Sequence, residues 1–301
     1  MLKILRKTLT GVLLVLLLLI AIAGVYLFWY SHRPLPETIA DKPLFQGVTY
    51  SRLIRSEPRP LVIHVVKIDL DAPGISFLVT PHDNLDGYVY TARTISQFLD
   101  NFGVQIAINA DFFDPWWEYG PFNYYPHEGD GVNVRGLTVS QGKLVTEGYS
   151  PVYDALYISK DNRVSFTRPD GELYNVIAGN LMIVRDGAYD STIKPDPYIE
   201  QAHPRTAVAL SQDERTFIIV VVDGRQPSYS EGVTLPELAA IIVEFGGYTA
   251  LNFDGGGSSA LVMEGADGKP LQLGSAIHTR IPGRERPVAN HLGIFALALS
   301  G

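Results

Sequence analysis

Apolar positions along the chain fall into three kinds of run, and each predicts a different element. The first, "LTGVLLVLLLLIAIAGVYLFWY", is uncharged from Leu9 to Tyr30 and close to the roughly 20 residues that span a bilayer. The second kind is short and rich in β-branched residues. "RPLVIHVVKIDL" and "GISFLVT", joined by "DAPG", predict a hairpin. "LTVSQGKLV", "DALYISKDNRVSF" and "NLMIVRDGAY" alternate around Gly or Asp-Asn turns as antiparallel pairs do. In "TAVALSQDERTFIIVVVDGR" the second run is almost wholly apolar, which predicts a central strand. The third kind is helical. Ile95, Phe98, Leu99 and Phe102 follow Thr94 and Gln97 in capping-box spacing, with Gly103 placed to end the helix.

"TLPELAAIIVEFGGYTALNFD" repeats this helical grammar, with Thr234 and Glu237 as the box and Gly246 as the stop. Asn109 follows Gly103 by six residues, and Asn252 follows Gly246 by six. Both following strands end in Asn-x-Asp, as Asn109-Ala110-Asp111 and Asn252-Phe253-Asp254. The pattern predicts an α+β fold, a large, mainly antiparallel, curved sheet with a few packed helices, preceded by one N-terminal transmembrane helix. The division expected is an anchor over 1–30, a linker over 31–59 with an extended proline-containing tether, "SHRPLPETIADKP", and a globular domain over 60–301.

Charge changes the picture at the N-terminus. Lys3, Arg6 and Lys7 precede the apolar run, an arrangement that keeps the short end cytoplasmic and puts the rest outside the cytoplasm. Ala21-Ile22-Ala23 also fits a small-x-small cleavage site, so a retained anchor and a secreted product both remain open. The net charge is −8 with Lys and Arg scattered, which argues against a nucleic-acid partner. There is no cysteine, so disulfides, thiolate metal sites and a cysteine nucleophile are excluded.

Candidate chemistry gathers at "NFDGGGSSA". Glycines accept positive φ, so Gly255, Gly256 and Gly257 could turn amides toward an anion, with Ser258 and Ser259 adding hydroxyls. No Lys follows, as a P-loop requires, and the G-x-G-x-x-G spacing is absent. Asp254 aims a carboxylate into this turn. His203, Arg205 and Thr206 precede a strand, Asp223 and Arg225 follow one, and Arg286 lies near the C-terminus. Taken singly each would suit a surface, but several at strand ends beside a donor loop suggest phosphate contact.

"HPRTAVAL", "VVDGR", "GVTLPELAAIIVEFGGYTALNFDGGGSSAL" and "RERPVANHLGIF" together resemble the phosphodiester glycosidase family, with "INADFF" similar to its Asn-x-Gly-Phe-Phe segment. The resemblance runs from about Pro60 to the C-terminus. Asp111 stands where the family usually has Gly, and Ala260 where Thr is common. The resemblance implies hydrolysis of the glycosidic bond of a sugar-1-phosphodiester, in exopolysaccharide or cell-envelope glycan metabolism. Asp254, with Asp223 second, would be base or nucleophile. Arg205, Arg225 and the amides of residues 255–258 would hold the phosphate, and Asn109 and Thr206 the sugar. Trp116 and Trp117 would wall the sugar subsite. No cofactor is required. Asn109, Asp111 and Asp254 are nevertheless hard oxygen ligands suited to Ca²⁺ or Mg²⁺. A metal-dependent phosphodiesterase and a non-catalytic envelope glycan-binding domain are the alternatives.

Overall fold

The computed structural model describes residues 2–83, 87–150 and 153–299. The N-terminal helix runs from Leu2 to Ser31, and its apolar stretch, Arg6–Tyr30, is long and apolar enough to cross a membrane and is exposed over most of its length. Beyond it lies an α+β domain whose named strand pairs are all antiparallel.

The largest sheet has eight strands. At its centre Leu61–Asp69 pairs with Thr216–Val222, which pairs with Arg205–Leu210, which in turn pairs with Thr249–Asn252. Alternation sorts their side chains. Leu61, Ile63, Val65, Ile218, Val220, Ala207 and Ala209 face the helix Leu235–Glu244. Val66, Ile68, Ile219, Val221, Val208 and Leu251 face the opposite way. There they meet Phe77, Val79, Ile106, Ile108, Leu292 and Ile294 of a five-stranded sheet and Leu156, Ile158 and Ile177 of another. The outer face of the sheet holding Ile106–Asn109 is covered by the helix Ile95–Phe102 through Phe98 and Leu99. The main core is thus a slab between sheets, with a helix sealing each outer side. Covered on both faces, Thr216–Val222 has no reason to alternate.

Both capping boxes form. Thr94 and Thr234 accept from the amides of Gln97 and Glu237, whose side chains accept in return from the cap amides. Gly103 closes the first helix at φ 64°, while Phe245 caps the second and Gly246 follows at φ 94°.

Two expectations are corrected. "RPLVIHVVKIDL" and "GISFLVT" do not pair with each other. Leu61–Asp69 belongs to the eight-stranded sheet, whereas Ser76–Val79 pairs with His291–Phe295 in the facing one. The turn at 70–74 therefore carries the chain from sheet to sheet. The extended tether expected over 31–43 is shorter, and the rest of 31–59, expected as linker and entry segment, enters the sheet. Ile39–Phe45 and Val48–Arg55 form a hairpin that extends the large sheet, with Val48–Arg55 against Leu61–Asp69 in continuous register. The irregular tether shrinks to residues 33–38.

The Thr234 cap is a measurable part of this architecture, because the helix it starts seals one face of the largest sheet. Thr234→Ala removes the acceptor for the Glu237 amide, and about 1 kcal/mol of unfolding free energy should be lost. Chemical denaturation with an unchanged slope measures it. An unaltered midpoint would show that the cap contributes nothing.

Candidate active site

The two Asn-x-Asp strand ends come from different sheets and meet. Asn109 ends a strand of the five-stranded sheet, and its side-chain amide donates to the Asp254 carbonyl at 2.7 Å. Its Oδ1 accepts from Thr206 Oγ1 at 2.8 Å and from the Ala260 amide at 3.2 Å. The Asp254 amide donates to the Ala110 carbonyl at 2.8 Å. Asp254 lies two residues past the strand Thr249–Asn252 and is fixed from both sheets. Its Oδ1 accepts from the Gly255 amide at 2.8 Å, and Ser258 hydrogen-bonds the carboxylate.

The carboxylate faces a cleft of about 520 Å³. Five arginines line it, Arg135, Arg205, Arg225, Arg280 and Arg286, together with His203, Glu118, Trp116, Phe112 and Tyr198. They differ in what holds them. Arg135 forks onto Asp114 at 2.7 and 2.9 Å. Arg205 is fully buried and gives Nε and Nη2 to the carbonyls of Val233, Tyr198 and Gln201. Arg286 pairs with Glu118, donates to Ser258 Oγ at 3.2 Å and to His278 Nδ1 at 3.3 Å, and lies 5.2 Å over the Trp116 ring. Among the described residues, nothing accepts a hydrogen bond from the guanidinium of Arg225 or Arg280. Both have left-handed backbone, φ 57° and 61°, and Thr279 beside them has φ 53°. Such geometry costs on the order of 1–3 kcal/mol per residue and persists only where its surroundings enforce it.

The glycines explain themselves through these arginines. A Cβ on Gly256, at φ 64°, would sit 2.8 Å from Arg225 Nη2, and one on Gly257 would sit 2.6 Å from Arg286 Nη2. A Cβ on Gly255 would sit 2.8 Å from the Pro204 carbonyl. Most of the expected ring of free amides is taken up within the loop, with only the Gly257 amide showing no acceptor among the described residues. The Gly255 amide goes to the Asp254 carboxylate, Gly256 to the Pro204 carbonyl, Ser258 to the Gly255 carbonyl and Ser259 to the Gly256 carbonyl. The loop is a bed for guanidinium groups.

Electrostatics separates the carboxylates. Burial raises the Asp254 pKa, opposed by the Ser258 hydrogen bond and by Arg286. Glu118 is held down at about 2: its burial is outweighed by hydrogen bonds and charge from His278 and Arg286. His203 is lowered to about 4, by burial first and then by Arg225 and Arg205, so it is neutral across the physiological range.

Of the residues singled out from sequence, Asp254, Arg205, Arg225, His203, Arg286, Trp116 and Gly255–Gly257 line the cleft. Several do not. Asp223 is buried, with both carboxylate oxygens accepting from the Ser275 amide at 2.9 and 3.0 Å and Oδ2 3.2 Å from His64 Nε2. His64 Nδ1 continues to Tyr50 at 2.8 Å. Asn109 and Thr206 bond each other beneath the floor. Asp111 is buried below it. Its Oδ2 accepts from the Gly136 amide at 3.0 Å and its Oδ1 is without a partner among the described residues. Burial, with the Asp254 charge adding, raises its pKa well above the usual range. Ser258 and Ser259 are buried behind the loop. Trp117 stacks on Tyr125 with centroids 4.6 Å apart. As a cation site, the set Asn109, Asp111 and Asp254 fits poorly, because two protein donors already occupy the Asn109 oxygen. Among the described residues no three His, Asp or Glu side chains gather as metal ligands. Glu118, Arg135 and Arg280 went unnoticed in the sequence. Glu118 stands between aromatic residues in "WWEYG", and nothing in "HTRIPGRER" sets Arg280 apart from the other two arginines of that stretch.

The sequence matches the phosphodiester glycosidase family over residues 102–295. The chain belongs to this family. Its structure is similar to the catalytic domain of zebrafish N-acetylglucosamine-1-phosphodiester alpha-N-acetylglucosaminidase, auto-inhibited by its pro-peptide. The two share 18% identity over 89% of this chain and 87% of that one, with a TM-score of 0.59. It is also similar to a Burkholderia pseudomallei K96243 protein described as exported, with 15% identity, 80% and 75% coverage and a TM-score of 0.54. These likenesses establish the shared fold. No curated protein matches the sequence. The family match spans both Asn-x-Asp strand ends, the glycine loop and all five cleft arginines.

Two variants separate the floor of the cleft from its support. Gly256→Val places a β-branched residue at φ 64° against Arg225. It should cost about 1–2 kcal/mol of stability and weaken anion binding in the folded protein. Asp223→Ala leaves the Ser275 amide and His64 without their acceptor and should cost about 1–3 kcal/mol, with kcat of the folded fraction largely retained. Denaturation paired with kinetics tests both, and a kcat collapse in stable Asp223→Ala would restore Asp223 to the chemistry.

Proposed function

We propose that the protein is a glycosidase that hydrolyses the C1–O bond of a sugar-1-phosphodiester outside the cytoplasm. The observation that carries this reading is the pairing of one carboxylate free of any ion pair, Asp254, with two arginines that lack protein acceptors, Arg225 and Arg280, across one cleft. Glycoside hydrolysis ordinarily needs a second carboxyl group as acid for a poor leaving group. The other cleft carboxylate, Glu118, is locked as an anion by Arg286 and has no proton to give near neutrality. A phosphodiester removes that need, because its leaving oxygen departs as a phosphate monoester already stable as an anion.

In this reading the arginines hold the phosphate, and positive charge offsets the negative charge that grows on it as the bond breaks. Trp116, Phe112 and Tyr198 wall the sugar. Asp254 faces C1, as nucleophile or as base toward water. Its raised pKa increases its basicity, and Gly255 and Ser258 fix its orientation. Asn109 and Thr206 act on Asp254 through its backbone and are positioning residues. The basic residues before the apolar helix support a cytoplasmic N-terminus and an external domain, a location suited to cell-envelope or exopolysaccharide glycans.

Hydrolysis in H₂¹⁸O should place the label in the sugar and none in the phosphate. Label in phosphate would mean P–O cleavage and overturn the glycosidase reading. Asp254→Asn should lower kcat by on the order of 10²-fold or more with a much smaller change in KM. The wild-type kcat/KM should fall with acidity at a pH above 3.8, the ordinary aspartate value, because Asp254 is protonated as pH drops through its raised pKa.

Stability carries a linked sign. A carboxyl group with a raised folded-state pKa contributes stability below its unfolded pKa, and that contribution is lost as pH rises through the folded value. Ionised Asp254 is therefore a cost near neutrality, and Asp254→Asn should melt no lower than wild type there. Its advantage should shrink in acid. Thermal melts across pH check this, and a clear loss of stability at pH 7 would contradict it.

A further inference from the structure

The inference rests on the glycosidase reading and on retention of the N-terminal helix, and it concerns the group on the far side of the phosphate. The end of that helix is fastened to the rim of the cleft. Tyr30 donates its hydroxyl to the Arg225 carbonyl at 3.2 Å. Arg33 donates to Gln226 and to Ser275 Oγ, the latter at 2.9 Å, and stacks over Tyr229 with its guanidinium carbon 3.8 Å from the ring centroid. The residue that leaves the apolar helix and the loop that carries Arg225 are thus one unit. Between helix and domain runs a groove of about 630 Å³, walled by Tyr26, Leu27, Tyr30 and Pro227. Its other wall holds Gln226 and Glu231 together with Arg225 and Arg280, the same pair that lines the Asp254 cleft.

This continuity gives three zones in order. A sugar-sized cleft ends at Asp254, two arginines without protein acceptors stand at its mouth, and an apolar groove leads from them along a membrane helix. We propose that the substrate is a sugar phosphodiester whose second ester arm is a long-chain lipid of the same bilayer. The sugar enters the Asp254 cleft and the phosphate bridges Arg225 and Arg280. The lipid arm leaves over Tyr26, Leu27 and Pro227 into the membrane. An anion at the arginines matches their charge, and a water-soluble arm would leave the apolar wall without a partner. In the reaction the C1–O bond breaks and its electron pair stays on the phosphate oxygen. Water supplies the oxygen that ends on C1, and its proton is released through Asp254. The products are the free sugar and a lipid phosphate monoester that remains in the bilayer.

The test uses the full chain in phospholipid vesicles. The 1-phosphates of glucose, N-acetylglucosamine and mannose are each esterified to methanol, to a diacylglycerol or to a polyprenol. For the sugar accepted, a long-chain ester should exceed the methyl ester in kcat/KM by about tenfold or more, worth about 1.4 kcal/mol. Preference for the polyprenol ester or for both long-chain esters identifies an isoprenoid or a general lipid arm. Leu27→Glu and Pro227→Glu, each confirmed to float with vesicles, should cut the long-chain to methyl ratio severalfold. Equal rates for methyl and long-chain esters, or a ratio unmoved by either variant, would overturn the lipid arm and leave the glycosidase standing. Failure to hydrolyse any ester would overturn both.

Discussion

The Asn109 side chain is the point on which the geometry of the cleft depends. One amide group with no freedom left ties the end of a strand in the five-stranded sheet to Thr206 in the eight-stranded one, and to Asp254 and Ala260 on either side of the glycine loop. Each bond contributes modestly to net stability, on the order of 1 kcal/mol, but leaving a buried partner unsatisfied costs more than the bond contributes. The arrangement is therefore all-or-none. Asp254 is placed through its main chain, by Asn109 and the Ala110 carbonyl, which leaves its carboxylate without an ion pair among the described residues.

That fixed floor carries a concentration of positive charge. The residues that keep it from flying apart are Asp114, which takes Arg135, and Glu118, which takes Arg286, with backbone carbonyls taking Arg205. Arg225 and Arg280 have no such partner and sit in left-handed backbone. Left-handed backbone and like-charged neighbours coincide at the two groups most available to an anion, of which Arg225 is half-buried and Arg280 exposed. Burial first, and then the charge of Arg286 and Arg280, lower the Arg225 pKa, and an anion bound beside it would act in the opposite direction. The loop accommodates them because residues 255–257 lack Cβ atoms. These glycines allow close approach of the Arg225 and Arg286 side chains and the Pro204 carbonyl to the loop backbone.

Much of this was legible in the chain. The two Thr-x-x-Gln/Glu boxes, the glycine stops and the matched Asn-x-Asp ends identified both helices and strands and pointed to one meeting place. What local pattern cannot state is which partner a strand takes. Leu61–Asp69 and Ser76–Val79 alternate as a hairpin would, yet the pairing energy lies with Val48–Arg55, Thr216–Val222 and His291–Phe295. Nor does residue type reveal whether a polar group is free. Asp223 is as acidic in sequence as Asp254, and only the folded chain shows it held by Ser275 and His64. The same holds for the glycine amides, whose acceptors at Pro204 and Asp254 lie within the fold.

A cleft with five arginines and two carboxylates belongs to a chain whose net charge is −8. At physiological ionic strength charges are screened beyond about 8 Å, so the acidic exterior neither attracts an anionic substrate nor reaches far enough to repel it from the cleft. Long-range steering is then weak, and in the proposed function binding would depend on local contact with Arg225 and Arg280. An ionised Asp254 beside a bound phosphate would be unfavourable were it not that the arginines stand with the phosphate and the carboxylate is left to the sugar side. In the proposed reaction the same separation would let one carboxylate suffice. Its charge would oppose the positive charge that develops at C1, while the charge that develops on the leaving oxygen would be met by the guanidinium groups.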